Sequence, residues 1–251
     1  MTVAPNWARS IPDALPRFMA PSGGVVSIDA PDYDLGEPWL CGFRLRLDRP
    51  YVGTNPSLQE RALQIARSGN CKGIIERVIK GRIVEEASGQ GGRFLVARSD
   101  LTGSTIVVWQ GRWHEVFDFI EDPEVTSLDA LRRFDRLSFQ DSPVGLRVRT
   151  SPVPAETMFA ERVYKTVPGV GNLSILPAEQ AVDLVPRHRG AQVASGEVWR
   201  KEVVSDQGTR TLLLHATTTT VTIVDPEANN PDETPRLQFL DRLSGVAWTR
   251  P

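Results

Sequence analysis

The stretch EEASGQGGRFLVARSDLTGSTIVV, Glu85 to Val108, is written again as EVVSDQGTRTLLLHATTTTVTIVD, Glu202 to Asp225, at an offset of 117 residues without a gap. Ten of the 24 aligned positions are identical, among them Gln90/Gln207, Gly91/Gly208, Arg93/Arg210 and Thr105/Thr222. Residue frequencies alone give roughly one or two. The echo extends outward. Leu131 to Ser138 (LRRFDRLS) matches Leu237 to Ser244 (LQFLDRLS) at offset 106, and GFRLR (Gly42 to Arg46) matches GLRVR (Gly145 to Arg149) at offset 103. The fall from 117 to 106 means that the second copy lacks eleven residues in or near WQGRWHEVFDFIEDPEV. A period this long belongs to tandem units, not to a solenoid. The sequence thus predicts an extended N-terminal arm over 1–36, a first unit over 37–141 and a second over 142–251.

Within the first unit, GFRLRL alternates apolar and polar residues as a half-buried strand does. NPSLQERALQIARSGN reads as a helix with Leu58, Ala62, Ile65 and Ala66 on one stripe, Pro56 in its first turn and Gly69-Asn70 at its end. IIERVIKGRIVEEA and RFLVARS form strands about the turn SGQGG, and a further hairpin folds around Gln110-Gly111. TSLDALRRFDRLSF closes the unit as a helix capped at Thr126 or Ser127. The order is β-α-β-β-β-β-α. It predicts an α+β fold, two tandem units each with an antiparallel sheet packed by helices. In the second unit PAEQAVDLV is the best first helix and ETMFAERVYKTV a strand; GGVVSID is a short strand in the arm.

EEASGQGGRFLVARS, TIVVW and the closing FDRLSF together resemble the PsbP-like fold group, over Gly42 to Phe139 and more loosely over Gly145 to Gly245. That group includes a photosystem extrinsic protein, bacterial periplasmic and lipoprotein relatives, and chaperones of type VI secretion effectors. The resemblance implies binding, assembly or chaperone roles more often than catalysis. It transfers no site residue by residue, and the second copy ends in Ser244-Gly245 where the aromatic is expected.

A net charge of −2 argues against a surface that tracks phosphates, so no nucleic-acid partner is expected. No window approaches the ~18 apolar residues of a membrane span, and the N-terminus lacks the basic-then-apolar order of a secretory signal. With only Cys41 and Cys71 there is no disulfide framework. A cytoplasmic protein with free thiols is the expectation.

Residues present in one copy only are the better functional candidates, because the fold survives without them. The aromatic stretch WQGRWHEVFDF offers Trp109, Trp113, His114, Phe117 and Phe119 as a partner-docking surface or, equally, as core and seam filling. Arg44, Arg46, Arg147 and Arg149, on matching strands, form a weaker anion-binding candidate. His114, His188 and His215 have no ligand-type spacing, SGQGGR lacks the Lys-Ser/Thr step of a phosphate loop, and DPEANNPDETP lacks the glycine of a calcium loop. No catalytic set, metal or cofactor is expected. The sequence points to a non-catalytic protein-binding, assembly or chaperone-like protein of bacterial type, acting on another protein, as a homo-oligomer or part of a larger assembly. Two alternatives stay open: an enzyme with its site at the seam between units, and a structural subunit that uses the N-terminal arm.

Overall fold

The computed structural model describes residues 17–36, 38–47, 60–122, 124–151, 156–205, 208–227 and 232–250. Most of them are strand. The first half runs β1 (Arg17–Met19), β2 (Val25–Asp29), β3 (Leu40–Leu47) and β4 (Glu60–Arg67). A short helix α1 (Cys71–Gly73) then passes into one π-helical turn, Ile74–Val78. β5 (Gly81–Gly89), β6 (Gly92–Ser99), β7 (Thr105–Gln110) and β8 (His114–Ile120) follow, then α2 (Ser127–Arg132) and β9 (Leu137–Ser142). The second half runs β10 (Gly145–Thr150), β11 (Glu156–Val167) and β12 (Gly171–Pro177), then two 3-10 turns, Ala178–Gln180 and Val182–Leu184. It ends with β13 (Ala191–Val193), β14 (Gly196–Ser205), β15 (Gly208–Ala216), β16 (Thr220–Asp225), α3 (Thr234–Arg242) and β17 (Gly245–Thr249).

This corrects the α+β expectation: sheet packs on sheet, and the helices are minor covers. The reason is visible in β4. Leu63 and Ile65 are buried while Ala62 and Gln64 are exposed, a period of two. The stripe Ala62, Ile65, Ala66 also fits a helix, but β3 and β8 pair with the segment on both edges and decide the matter. Conversely, the β-branched IIERV forms the π turn, and PAEQAVDLV yields only the 3-10 turns. The closing helix does form from Thr126, whose Oγ1 accepts from Asp129 N, but it stops at Arg132 and Leu137 onward is strand. At the β5–β6 turn Gln90 and Gly91 both have positive φ, 54° and 73°, the requirement of a two-residue type I′ hairpin.

The strands make two sheets. The larger has twelve, in the order β13-β14-β15-β16-β12-β11-β3-β4-β8-β7-β6-β5. Outward from the antiparallel central pair β3·β11 the order is palindromic: β4, β7, β6 and β5 on one side answer to β12, β16, β15 and β14 on the other. β8 and the edge strand β13 have no counterparts, and β12 pairs directly with β16. The chain therefore has a pseudo-twofold axis through the β3·β11 ladder.

A five-stranded sheet, β17-β2-β1-β10-β9, packs with α2 and α3 on one face of the large sheet, here the covered face. Its strands are exchanged. β2, from the first half, pairs with β17 and buries Val26 and Ile28 in the second half's core with Leu173, Leu213 and Phe239. β10, from the second half, pairs with β9 and buries Leu146 and Val148 in the first half's core with Phe43, Trp109 and Phe134. By position β10 answers to β2, and β3 to β11. The match of GFRLR to GLRVR, which set β3 against β10, is thus an accident of two half-buried strands. Of the arm, residues 17–36 supply β1 and β2; residues 1–16 lie outside the described residues.

The other face is covered only at its flanks. The α1–π turn shields Leu95, Ile106, Val108 and Phe117 in the first half. The 3-10 turns shield Leu176, Val221 and Ile223 in the second. The strip over the central strands is open.

Candidate functional site

The aromatic segment lies inside the fold. β8 sits between β4 and β7 and is buried on both faces. Trp109 and Phe117 are each 1% exposed, Trp109 on the covered face against Phe139 and Phe117 on the other under α1. Of the five candidates only Phe119, at 38%, presents much surface. Trp113 is half-buried with the Arg112 guanidinium 4.8 Å over its ring.

Three polar groups on this strand are spent on architecture. His114 Nδ1 is 2.7 Å from Asp141 Oδ1, tying β8 to β9. Fully buried Asp118 accepts from Arg133 Nε at 2.8 Å and pairs with Arg61 at 3.4 Å, docking the end of α2. Fully buried Glu115 accepts the backbone amides of Gly69, Asn70 and Cys71 at 2.8, 3.0 and 2.9 Å, and Gln110 Nε2 at 2.7 Å. Glu115 thus satisfies the orphan donors at the start of α1. Burial, and then the neighbouring Glu115 carboxylate, push the Cys71 thiol up, away from nucleophilic character. A part-buried Ser195 Oγ···His215 Nε2 contact of 3.1 Å lies on the far half; burial pulls the His215 pKa down, and among the described residues its Nδ1 meets no hydrogen-bond partner.

The open strip holds a cavity of about 890 Å³ across the pseudo-twofold axis. Its floor is laid by register: Ala66 and Gln64 on β4, Leu40 on β3, Tyr164 and Thr166 on β11, Asn172 on β12. Phe117, Ile74 and Asn70 form the wall under the α1 turn that Glu115 holds, and Asp34 and Pro38 form the other end. Gly42 has a positional reason. A Cβ there would lie 3.0 Å from the Tyr164 ring and 3.1 Å from its hydroxyl, so the missing side chain lets Tyr164 lie flat over β3. Burial raises the Tyr164 phenol; the guanidiniums of Arg162 and Arg44 act in the opposite sense.

The four arginines do not form one stripe. Arg44 and Arg46 stand on the open face of the large sheet, whereas Arg147 and Arg149 point out of the small sheet on the opposite side of the molecule. Arg162, which the sequence reading missed, joins Arg44 instead. The β-bulge between Phe159 and Arg162, with Ala160 at φ 50°, turns it onto that face, and only the length of ETMFAERVYKTV hinted at such an irregularity. The acidic DPEANNPDETP segment is paired where it is described: Asp225 with Arg210 at 3.0 Å and Glu233 with Arg200 at 2.7 Å.

No protein-family model, curated protein or solved structure matches the chain. No helix among the described residues is long and apolar enough to cross a membrane.

Proposed function

We propose that the chain is a non-catalytic binding protein whose groove on the open face takes a mostly apolar small ligand. The observation that carries this is the cavity of about 890 Å³ at the pseudo-twofold axis, with Leu40, Ala66, Ile74 and Phe117 as apolar walls and a few amide side chains between them. That size and composition are those of small-molecule sites. The polar pairs a catalyst might use, His114–Asp141 and Ser195–His215, lie outside this groove and are consumed in packing. Burial drives the Tyr164 phenol upward, against a role as a base.

Recognition of another protein through the same groove fits less well. The backbone groups of the floor are used in the β4–β3–β11–β12 ladder, so an extended segment finds few partners for its own amides. The test is titration with N-phenylnaphthylamine, an uncharged dye that fluoresces in apolar surroundings. Saturable binding, lost at least tenfold in Gln64→Trp with the melting temperature unchanged, supports the reading. Absence of binding, or equal binding by the variant, overturns it.

A further inference from the structure

We propose that the ligand of this groove carries an anionic group, held at the rim of the cavity by the Tyr164 hydroxyl, which lines it, and by Arg162 and Arg44 just outside the lining. This rests on the reading of the groove as a ligand site. Three observations meet there. First, Arg162 and Tyr164 are on the same face of β11, the guanidinium 5.8 Å from the ring centroid, and Arg162 faces Gly42 in the ladder. Because Gly42 has no side chain, the phenol leans toward Arg44, two residues along β3 on the same face. Second, the positive charge is in excess. Among the described residues the one carboxylate on this row, Glu60, is taken by Arg46 at 2.7 Å and lies 3.9 Å from Arg44. Among the described residues Arg162 meets no carboxylate. Third, no protein group accepts or donates a hydrogen bond at the Tyr164 hydroxyl among the described residues, although its ring is half-buried. Tyr164 lines the cavity, and Arg162 and Arg44 stand beside it on the same sheet face just outside the lining; a phenol O–H with two guanidiniums at its rim matches an amphiphile with a carboxylate, sulfonate or phosphate head and an apolar body.

Arg46 is excluded from the set, because its charge-assisted bonds go to Glu60 and its guanidinium lies 4.6 Å over the Phe159 ring. Asp34 stands at the opposite end of the cavity, bound to the Gly36 amide at 2.9 Å, and the Lys165 ammonium in the same lining is spent there on the Gly36 carbonyl and the Trp39 ring.

The experiment uses two dyes that share one scaffold: N-phenylnaphthylamine and its sulfonated analogue, anilinonaphthalene sulfonate. The full chain is titrated with each at low and moderate salt. The sulfonate should bind about tenfold more tightly, the factor one charge-assisted hydrogen bond supplies, and added salt should erode that advantage. Arg162→Gln and Arg44→Gln should each remove most of the advantage and leave the affinity for the neutral dye alone; Arg46→Gln should do neither. Equal affinity for the two dyes in the unaltered chain overturns the anionic head while leaving the groove intact. Failure of both dyes to bind overturns the groove reading itself. If Arg162→Gln weakens both dyes equally, the effect is structural and the assignment falls, with Arg44→Gln as the independent check.

Discussion

Replacing Glu115 by Gln changes one atom in a fully buried side chain, and the geometry sets the cost. Oε1 accepts from Gly69 N and Gln110 Nε2, Oε2 from Asn70 N and Cys71 N. Glutamine keeps one oxygen. If it faces Asn70 and Cys71, its NH₂ confronts two donors, and the Gly69 amide is left without an acceptor. An orphaned buried amide costs about 1–3 kcal/mol, and each surviving bond falls from the charged to the neutral range, a loss of about 1 kcal/mol. Gln110 offers little relief, because its Oε1 already accepts from Arg93 Nη2. The expected loss is about 3 kcal/mol or more, a drop of about 6–12 °C in melting temperature for a chain of this size. Urea denaturation followed by tryptophan fluorescence measures it. Glu86→Gln, which touches only a half-exposed ion pair with Arg93 at 3.5 Å, is the control and should shift stability by less than about 0.5 kcal/mol. A Glu115→Gln protein within about 1 kcal/mol of the unaltered chain would refute the claim that this carboxylate holds the α1 turn.

Trp109→Ala should cost about 3–5 kcal/mol, and Trp113→Ala no more than about 1 kcal/mol, in the same denaturation assay; the reverse order would contradict the burial of the aromatic segment. The depressed His215 pKa gives a signed pH effect. The unfolded histidine takes up a proton near pH ~6.5, while the buried one resists, so its contribution is present above that pH and is lost as pH falls toward the folded pKa. Stability measured from about pH 7 down to about pH 5 should therefore fall less steeply in His215→Gln than in the unaltered chain. Expression of residues 1–141 alone should give no cooperative thermal transition, because Leu146 and Val148 of β10 complete that core; a sharp transition would show that the exchanged strand is dispensable. Gly42→Val should push Tyr164 off β3 and weaken binding of the sulfonated dye, with circular dichroism unchanged.

The hairpin register was legible in the sequence because the side-chain period in a strand is two and the turn chemistry is local: Gln90-Gly91 needs positive φ at both positions, and few residues other than Asn, Asp and Gly supply it. β11 and β2 were readable as strands from their β-branched and aromatic residues. β4 was not. Its apolar positions satisfy the helical and the extended period at once, and what settles the choice is pairing with β3 and β8, partners that no local window contains. The groove was illegible for a stronger reason. Its walls come from β3, β4, β8, β11 and β12 and from the α1 turn, segments far apart in the chain that only the sheet order brings together. Arg162 joins Arg44 through a bulge, and a bulge shifts facing by one residue without leaving a compositional mark.

The place of the groove follows from the symmetry. In each half the segment that covers the open face is the connection after β4 or after β12, and each folds outward over its own later strands, β6 to β8 or β15 and β16. The strands next to the axis, β3 and β11, precede those connections, so neither half has a segment left to lay over them. On the covered face the opposite holds. There β2 and β10 cross between the halves and β1, paired with both, fills the space between them. A repeated unit that exchanges one strand on one face thus closes that face and leaves a bare strip on the other. Residues on that strip are shielded from the packing demands that hold Trp109, Glu115 and Asp118. They are free to differ between the halves, and Gly42 opposite Arg162, with Leu40 opposite Tyr164, is such a difference at the axis. The asymmetry of these two cross-strand pairs places Arg162, with Arg44, beside one end of the trough.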